Sequence, residues 1–347
     1  MDGGVKALLE QNSLWFDLIQ GFYTEAEQGL LSVWEEAESR CSAEPLYLGE
    51  PPRLWKTIGD EVLFEKVITD HRQVNTTLRA WIAALDRMRL FLRKRAPRLD
   101  VKSTAWLAGF PVVNKEVVLG LSIGGTHPGI DNYQVEAGKL LNSYYAGDQT
   151  VASTIDYIGP AIDTGFRLAQ FASVRRFVIS VGVAYILSKT TPADDEIRDF
   201  RIIYGGPVQM KGVMGGRDYP FFWIDLSEDQ SLSRLEDNLT RLADSSSRDV
   251  QAYCEGFFRE HEAYIFRPFI DQRNEQQVRG KPAWYDQALG GMIKSFYADL
   301  EILDQGVEAK VEREGHGSTL TNSEIDRESK QIVDIVVSGE ADRGEPK

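Results

Sequence analysis

The chain has 347 residues, of which 42% are hydrophobic and 27% are charged, a composition typical of a folded globular protein and unlike that of a chain disordered throughout. It carries 39 Lys and Arg residues against 53 Asp and Glu residues, a formal net charge of −14, so its overall field repels nucleic acid and anionic lipid. We therefore expect neither nucleic acid nor a membrane among its partners.

Cysteine content and apolar runs bear on the cellular compartment. Two cysteines, Cys41 and Cys254, are too few for a disulfide framework and lack the spacing of metal ligands. The N-terminus has no apolar stretch of the kind found in signal peptides, and the longest apolar run, residues 177–187, is too short to span a membrane. We expect a cytoplasmic protein.

The first third of the chain predicts the order β-α-β-β-α. Residues 13–16 are predicted to form a short strand that ends at Asp17, and residues 24–40 carry apolar side chains at helical intervals. Two short apolar runs on either side of Gly59-Asp60 predict a β-hairpin. Residues 72–95 have the apolar period of a long amphipathic helix, and the basic residues in its last turns suit a helix C-terminus.

The middle of the chain predicts more strands around a long excursion. Residues 101–110 are strand-like, and residues 111–155 have no clear period, which is typical of a long loop near a site. A turn at Ile158-Gly159-Pro160 predicts the start of a helix over residues 161–172. Strands are then predicted at residues 177–187, 200–204 and 219–226. This order predicts an α+β fold in which helices cover one face of a sheet.

The C-terminal third is charged and has a helical period. Residues 229–312 predict a helical appendage, with Leu232, Leu235, Leu239 and Leu242 on one face. Residues 313–347 are mostly polar and acidic, so we expect a weakly ordered tail. The predicted organisation is a main domain over residues 1–228, followed by the appendage and the tail. The appendage could complete a dimer, cover a site or regulate it.

Two pairs of side chains in these elements are candidates for metal binding or catalysis. Asp60 lies at the tip of the predicted hairpin and Asp17 at the end of the first predicted strand. If the strands are neighbours, the two carboxylates converge as hard divalent cations require when they also bind triphosphate oxygens, but ordinary turn and cap aspartates would look the same. Asp163 and Arg167 are one helical turn apart, a spacing that also suits a simple ion pair.

Several separated motifs resemble those of one enzyme family, the class III nucleotidyl cyclases. Lys56-Thr57-Ile58-Gly59-Asp60 resembles their metal-carboxylate hairpin. Asp156-Tyr157-Ile158-Gly159, followed by Asp163 and Arg167, is similar to their second signature, and Met210-Lys211-Gly212-Val213 resembles their late β-hairpin. Leu14-Trp15-Phe16-Asp17-Leu18 resembles their first metal site, with one residue inserted before the Gly21-Phe22 pair.

This resemblance implies a fold and a reaction. The fold is a cyclase-like sandwich with a ferredoxin-like βαββαβ core plus extra strands over residues 1–228. Two Mg²⁺ or Mn²⁺ ions per site would be held by Asp17, Leu18 and Asp60. Arg167 would stabilise charge on the α-phosphate through its guanidinium fork. Asp163 stands where the family has Asn, so it would position Arg167 or contact a ribose hydroxyl.

The resemblance also implies contacts to the substrate base and a partner subunit. Lys56 and Asp156 stand at the positions of the family's base-reading pair. Arg53, Trp55 and Lys211 are further candidates for substrate contacts, although Trp55 fits a core position equally well. In this family the metals are held by one protomer and the base is read by the other, so the resemblance implies a homodimer with two composite sites.

A narrower resemblance concerns the substrate. Residues 157–167, which read YIGPAIDTGFR, together with Ala108-Gly109-Phe110-Pro111, look like the pyrimidine cyclases of the Pycsar antiphage systems. That resemblance implies a uridylate cyclase, a lyase that makes cyclic UMP from UTP as a second messenger for a separate effector protein. The alternatives are a cytidylate cyclase, a purine cyclase, and a cyclase-like domain that binds nucleotide without turnover.

Overall fold

The computed structural model describes residues 3–40, 48–120, 153–190, 200–227, 231–240, 245–270, 280–295 and 297–298. These residues form a mixture of helices and small sheets, which is compatible with the predicted α+β class. The chain divides into two compact units, one made of residues 1–115 and 157–285 and the other of residues 116–156 and 286–347.

The helices and strands follow in chain order, with short 3₁₀ turns at Ala169–Phe171 and Met214–Gly216: α1 Gly3–Arg40, β1 Arg53–Ile58, β2 Glu61–Glu65, α2 Arg72–Arg95, β3 Thr104–Ala105, β4 Lys115–Gly120, β5 Ser153–Ile158, α3 Pro160–Leu168, β6 Arg176–Ile179, α4 Val181–Lys189, β7 Ile202–Gln209, β8 Asp218–Asp225, α5 Ser231–Thr240 and α6 Ser247–Glu260. Residues 283–295 are also helical.

The N-terminal part of the first unit is a helix pair. Leu30 and Trp34 of α1 pack with Leu85 and Met88 of α2 in a buried cluster. The strand predicted at residues 13–16 is wrong, because these residues lie within α1. A run of three apolar residues is too short for periodicity to assign. Leu14, Trp15 and Phe16 are 71%, 47% and 64% exposed, and the packing of α1 on α2 lies in the following turns, where a Cβ at Gly21 would be only 2.8 Å from the Phe91 ring.

The predicted hairpin is confirmed. Strands β1 and β2 pair antiparallel, and Ile58 lies opposite Glu61, so Gly59-Asp60 is a two-residue turn. Gly59 has a φ of 62°, and a glycine with positive φ at the first central position is typical of a type II′ turn. The amphipathic helix predicted at residues 72–95 is also confirmed as α2.

The main sheet has four strands in the order β3-β6-β8-β7. β3 pairs parallel with β6, whereas β6–β8 and β8–β7 are antiparallel. The strands predicted at residues 200–204 and 219–226 correspond to β7 and β8. The strand-like stretch at residues 101–110 contributes only Thr104–Ala105.

The apolar run at residues 177–187 is not one strand. It forms β6 up to Ile179 and then α4, with Ser180 between them as the helix N-cap, its side chain accepting a hydrogen bond from the Val183 N–H. Residues 181–188 are all buried. A helix buried on every side has no polar period to distinguish it from a buried strand.

The last described helix of the first unit, α6, completes the core around the sheet. Val250, Cys254, Phe257 and Phe258 belong to the same buried cluster as β6, β8 and α4. Residues 247–260 are therefore part of the main core. The boundary predicted at residue 228 stays a prediction, since residues 228–230 lie outside the described ranges, as do residues 313–347 of the predicted tail.

The excursion predicted at residues 111–155 begins and ends in paired strands. β4 and β5 form a two-stranded sheet with each other, and residues 121–152 lie outside the described part of the chain. No helix within the described ranges is long and apolar enough to cross a membrane.

Candidate functional site

A cluster of aromatic rings joins β1, α3 and the loop before β4. The Trp55 ring lies 4.9 Å from the Tyr157 ring and 6.0 Å from the Phe166 ring, measured between centroids. Trp106 lies 5.5 Å from Phe166, and Phe110 lies 5.3 Å from Tyr157. These five residues, which we call the aromatic cluster, bring the first and second cyclase-like motifs together.

Lys56 is the cation at this cluster. Its ammonium group lies 4.3 Å from the centroid of the Trp55 ring and 5.7 Å from that of Phe166, within the range of cation–π attraction. The Trp55 indole Nε1 is buried and has no hydrogen-bond partner among the described residues. Buried donors are normally paired, so the cluster holds a hydrogen-bond donor and a cation side by side.

Helix α3 is held in place by a cap from a distant part of the chain. Asn114 is 1% exposed, and its Oδ1 accepts a hydrogen bond from the Ala161 N–H at 3.0 Å while its Nδ2 donates to the Gly109 carbonyl at 2.8 Å. Gly159 is the N-cap residue and has a φ of 141°. A Cβ at Gly159 would lie 2.5 Å from the Asn114 Oδ1, so only glycine leaves room for this cap.

The same helix packs closely against the aromatic cluster. A Cβ at Gly165 would lie 2.2 Å from the Trp106 indole, which a real side chain cannot do. Gly165 therefore allows α3 to approach Trp106 directly and places Phe166 among the rings.

Asp163 and Arg167 form a two-pronged ion pair on α3. The Arg167 Nε donates to one Asp163 oxygen at 3.0 Å and the Nη2 donates to the other at 3.1 Å. The Arg167 side chain is 35% exposed and that of Asp163 is 50% exposed. An exposed pair contributes little to stability, typically about 0 to 1 kcal/mol, so the guanidinium can exchange its partner for another anion at low cost.

The third cyclase-like motif lies beside Arg167. Gly212 has a φ of 78°, and a Cβ there would lie 3.6 Å from the Arg167 Nη2. Met210 and Val213 at the two ends of this turn are buried in the main core, whereas Lys211 and Gly212 are exposed. The turn thus lies beside the Arg167 guanidinium at Gly212, and the adjacent Lys211 is exposed.

Arg53 and Tyr157 share an acidic partner on the hairpin. The Arg53 Nη2 donates to the Glu65 Oε1 at 3.0 Å, and the Tyr157 hydroxyl donates to the other Glu65 oxygen. Arg53 is 70% exposed. The predicted substrate contact from Arg53 would therefore have to compete with Glu65.

The sequence did not point to Glu65, Trp106 or Asn114 as site residues. Asn114 acts on a residue 47 positions away, and Glu65 on one 92 positions away. A local sequence pattern cannot predict contacts between residues so far apart in the chain. Phe110, Tyr157 and Phe166, in contrast, lie inside the motifs that resemble those of the cyclases.

The two predicted metal carboxylates lie in different kinds of element, Asp60 in a hairpin turn and Asp17 on a helix. Asp60 is exposed at the hairpin tip, and the Tyr23 hydroxyl of α1 donates a hydrogen bond to the Gly59 carbonyl beside it. Asp17 is exposed but lies on α1, about 9 Å along the helix axis before Tyr23 at 1.5 Å per residue. It is not at a strand end, contrary to the prediction.

Leu18 does not suit the role of a metal ligand in this structure. Its only available ligand atom is the backbone oxygen, and inside α1 this carbonyl accepts a helical hydrogen bond from residue 22. Its side chain packs against the α1–α2 core. Within the described ranges, no group of three or more His, Cys, Asp or Glu side chains is placed to hold a metal ion.

Asp156 lies on β5. It belongs to the second unit, whereas Lys56 belongs to the first. The pairing of Asp156 with Lys56 in base recognition therefore stays a prediction.

These placements bring Lys56, Phe166, Arg167 and Lys211 into one region of the first unit. A functional interpretation of the chain therefore rests on these residues. No protein-family model matches the chain, and no curated protein or solved structure matches it either.

Proposed function

We propose that the chain is a class III-type nucleotidyl cyclase that converts UTP to 3′,5′-cyclic UMP and pyrophosphate. The supporting observation is the meeting of three motifs that are far apart in the sequence. Lys56 lies over the Trp55 and Phe166 rings, and Arg167 lies beside the turn that holds Gly212. Aromatic rings suit a nucleobase, and an arginine fork suits a phosphate.

The cyclase-like sandwich with its ferredoxin-like core is part of the same proposal. The α+β composition and the antiparallel β6–β8–β7 strands support it. The helical N-terminus is a departure, since the family's first strand would lie at residues 13–16. Among the described strands, the β1–β2 hairpin also pairs only with itself.

The chemistry follows from charge development at the α-phosphate. The ribose 3′-hydroxyl attacks the α-phosphorus in line, its proton passes to water, and the bond from the α-phosphorus to the pyrophosphate oxygen breaks as pyrophosphate leaves. In our proposal Arg167 releases Asp163 and donates its two N–H groups to the α-phosphate, where negative charge grows. Asp163 either keeps Arg167 oriented until the substrate binds or, once released, accepts a hydrogen bond from a ribose hydroxyl. Lys211, exposed beside Gly212, neutralises the phosphates.

The proposed Mg²⁺ or Mn²⁺ ions fit the residues in part. Asp60 fits, because its carboxylate is exposed and has no hydrogen bond or ion pair with any described residue. Asp17 is an exposed carboxylate on a helix, and the Leu18 carbonyl is engaged within that helix. Bound metal would activate the 3′-hydroxyl and neutralise phosphate charge.

We further propose that the active form is a homodimer with two composite sites, since one chain carries both the metal motif and the base motif. The cyclic nucleotide would act as a second messenger in antiphage defence and activate a separate effector protein.

Product analysis with each of the four ribonucleoside triphosphates tests the proposal. The purified chain is incubated with Mg²⁺ or Mn²⁺ and each labelled triphosphate, and the products are separated by chromatography. We expect cyclic UMP from UTP. Cyclic CMP from CTP would identify a cytidylate cyclase, and conversion of ATP or GTP would identify a purine cyclase. Absence of a cyclic product from all four contradicts the proposal.

A matched pair of variants tests the metal assignment. Asp60→Ala should abolish product formation, because the variant lacks the exposed carboxylate at the hairpin tip. Glu61→Ala removes the next carboxylate, which is also exposed, and should leave activity close to that of the wild type. Full activity of Asp60→Ala would remove Asp60 from the proposed site.

A second candidate function is nucleotide binding without turnover. The observation in its favour is that both prongs of Arg167 are engaged by Asp163, in addition to the helical setting of Leu18. Calorimetry that detects UTP binding, together with no cyclic product, would support this reading.

A further inference from the structure

Helix α5 presents leucines to solvent. Leu232 is 73% exposed, Leu235 is 58% exposed and Leu239 is 86% exposed. All three lie on a helix of only ten residues, Ser231–Thr240. Burial of a leucine side chain is favourable, so a face with three exposed leucines favours contact with another surface.

The charged side of the same helix is directed toward the body of the first unit. The Arg175 Nη1 lies 3.1 Å from a Glu236 oxygen, and its Nη2 lies 2.5 Å from an Asp237 oxygen. The Arg201 Nη2 lies 3.2 Å from the other Asp237 oxygen. A surface helix normally buries its apolar face and exposes its charges. In α5 the ion pairs hold the acidic side inward, and the leucines therefore point away.

The leucines have the spacing of a coiled-coil seam. They are separated by three and then four residues, and Leu242 continues the spacing in the sequence, outside the described ranges. Residues 231–237 read SLSRLED and residues 238–244 read NLTRLAD, so Leu, Arg, Leu and Asp recur at the same places in both segments. Such a repeat places leucines at the a and d positions of two heptads.

We propose that α5 pairs through this leucine face with α5 of a second copy of the chain. An a/d leucine stripe is complementary to an identical stripe, because each side chain inserts into the gap between four residues of the facing helix. Repulsion at the contact is limited, since Glu236 is paired with Arg175, and Asp237 is paired with both Arg175 and Arg201.

The pairing is expected to be concentration-dependent. A stable interface buries about 800 Å² per partner, and the ten residues of α5 supply only part of that area. Association also costs the two chains translational and rotational freedom, and this cost opposes the free energy gained by burying the leucines. We therefore expect a dissociation constant on the order of micromolar or weaker. This inference does not rest on the proposed cyclase activity, because it uses only the exposure, spacing and orientation of α5.

Sedimentation velocity of the full chain without nucleotide, over about 1 to 100 μM, measures the pairing. The wild type should pass from monomer to dimer across this range. The Leu235→Glu/Leu239→Glu variant should raise the dissociation constant at least about 100-fold, because it removes two buried leucines and opposes like charges. The control Leu90→Glu/Leu99→Glu, at positions 53% and 39% exposed, adds the same charge elsewhere and should dimerise like the wild type.

A charge-complementation experiment separates direct contact from misfolding. A Leu235→Lys/Leu239→Lys variant should be monomeric alone and should form a heterodimer when mixed with the Glu variant, whichever direction the helices run. A wild type that stays monomeric, or a Glu variant that dimerises normally, overturns the inference. The inference is also overturned if the wild type is monomeric and the Glu variant has a much lower Tm, since the leucines would then be covered within one chain. A dimer that makes no cyclic nucleotide would count against the cyclase proposal alone.

Discussion

Two Asp–Arg systems in the first unit use the same chemistry in different surroundings. Asp225 is 1% exposed and pairs with Arg175, which is 16% exposed, and with Arg201. Asp163 and Arg167 form an equally well aligned pair but are 50% and 35% exposed. Removing one member of a buried pair leaves an uncompensated charge, whereas an exposed pair is readily replaced by water or another ion. The first system is therefore suited to holding structure and the second to exchanging partners.

The pKa of Asp225 reflects this environment. Burial by itself would raise the pKa of the Asp225 carboxyl. The hydrogen bonds from Arg175 and from Ser227, with the positive charge of Arg175, outweigh that effect and lower the pKa to about 2. The hydrogen bonds from Arg175 to Asp225 and to Asp237 raise the pKa of Arg175, so both Asp225 and Arg175 stay charged in the folded protein.

The largest expected effect is the loss of the Asp225 charge. Asp225→Asn should lower the free energy of unfolding by about 2 to 3 kcal/mol, because Arg175 and Arg201 lose their most buried partner and keep only Asp237 and, for Arg175, Glu236. Urea denaturation followed by circular dichroism measures this. The matched control Asp163→Asn should change the free energy of unfolding by less than about 0.5 kcal/mol. Similar values for the two variants would break the comparison.

The exposed pair should matter for activity instead. Arg167→Ala should reduce the rate of cyclic nucleotide formation by about 100- to 1,000-fold, the usual cost of removing one preorganised charge donor, while leaving Tm nearly unchanged. Arg87→Ala is the control, since Arg87 is 36% exposed and pairs with Glu36 away from the aromatic cluster. Equal rates for Arg167→Ala and the wild type would remove Arg167 from the proposed chemistry.

Acid should weaken the buried network selectively. The pKa of Asp225 is lowered from 3.8 to about 2 on folding, so its contribution is fully present above about pH 4 and is lost as the pH falls through 2. The linked change is about 2 kcal/mol. The difference in unfolding free energy between the wild type and Asp225→Asn should shrink over that interval. A difference that stays constant from pH 5 to pH 2 would contradict the assignment.

A smaller effect is expected where α3 is capped. Asn114→Ala should cost about 1 to 2 kcal/mol of unfolding free energy, because the Ala161 N–H loses the Oδ1 acceptor. Hydrogen exchange at Ala161 should accelerate in the same variant. Asn238→Ala, at an exposed position of α5, should change stability by less than about 0.5 kcal/mol. Unchanged exchange at Ala161 would mean that Asn114 is not the cap.

Prediction from the sequence succeeded where neighbouring residues decide the structure. The β1–β2 hairpin and α2 were predicted because a glycine turn and an amphipathic period are local signals. It failed at residues 13–16 and 180–187, where short or uniformly apolar runs carry no period. Residues 13–16 continue a helix whose later turns pack on α2, and residues 181–187 are buried in one cluster with α6.

By itself the sequence determined the Gly59-Asp60 turn, the Asp163–Arg167 spacing and the leucine repeat of α5, since each depends on residues within a few positions of one another. Only the tertiary structure decided that Asn114 caps α3, that Trp55 meets Tyr157 and Phe166, and that Arg175 and Arg201 turn the acidic side of α5 inward. These contacts join segments far apart in the chain. Which of these contacts form depends on the surfaces that the folded core brings together, and the local periodicity of the sequence does not encode this.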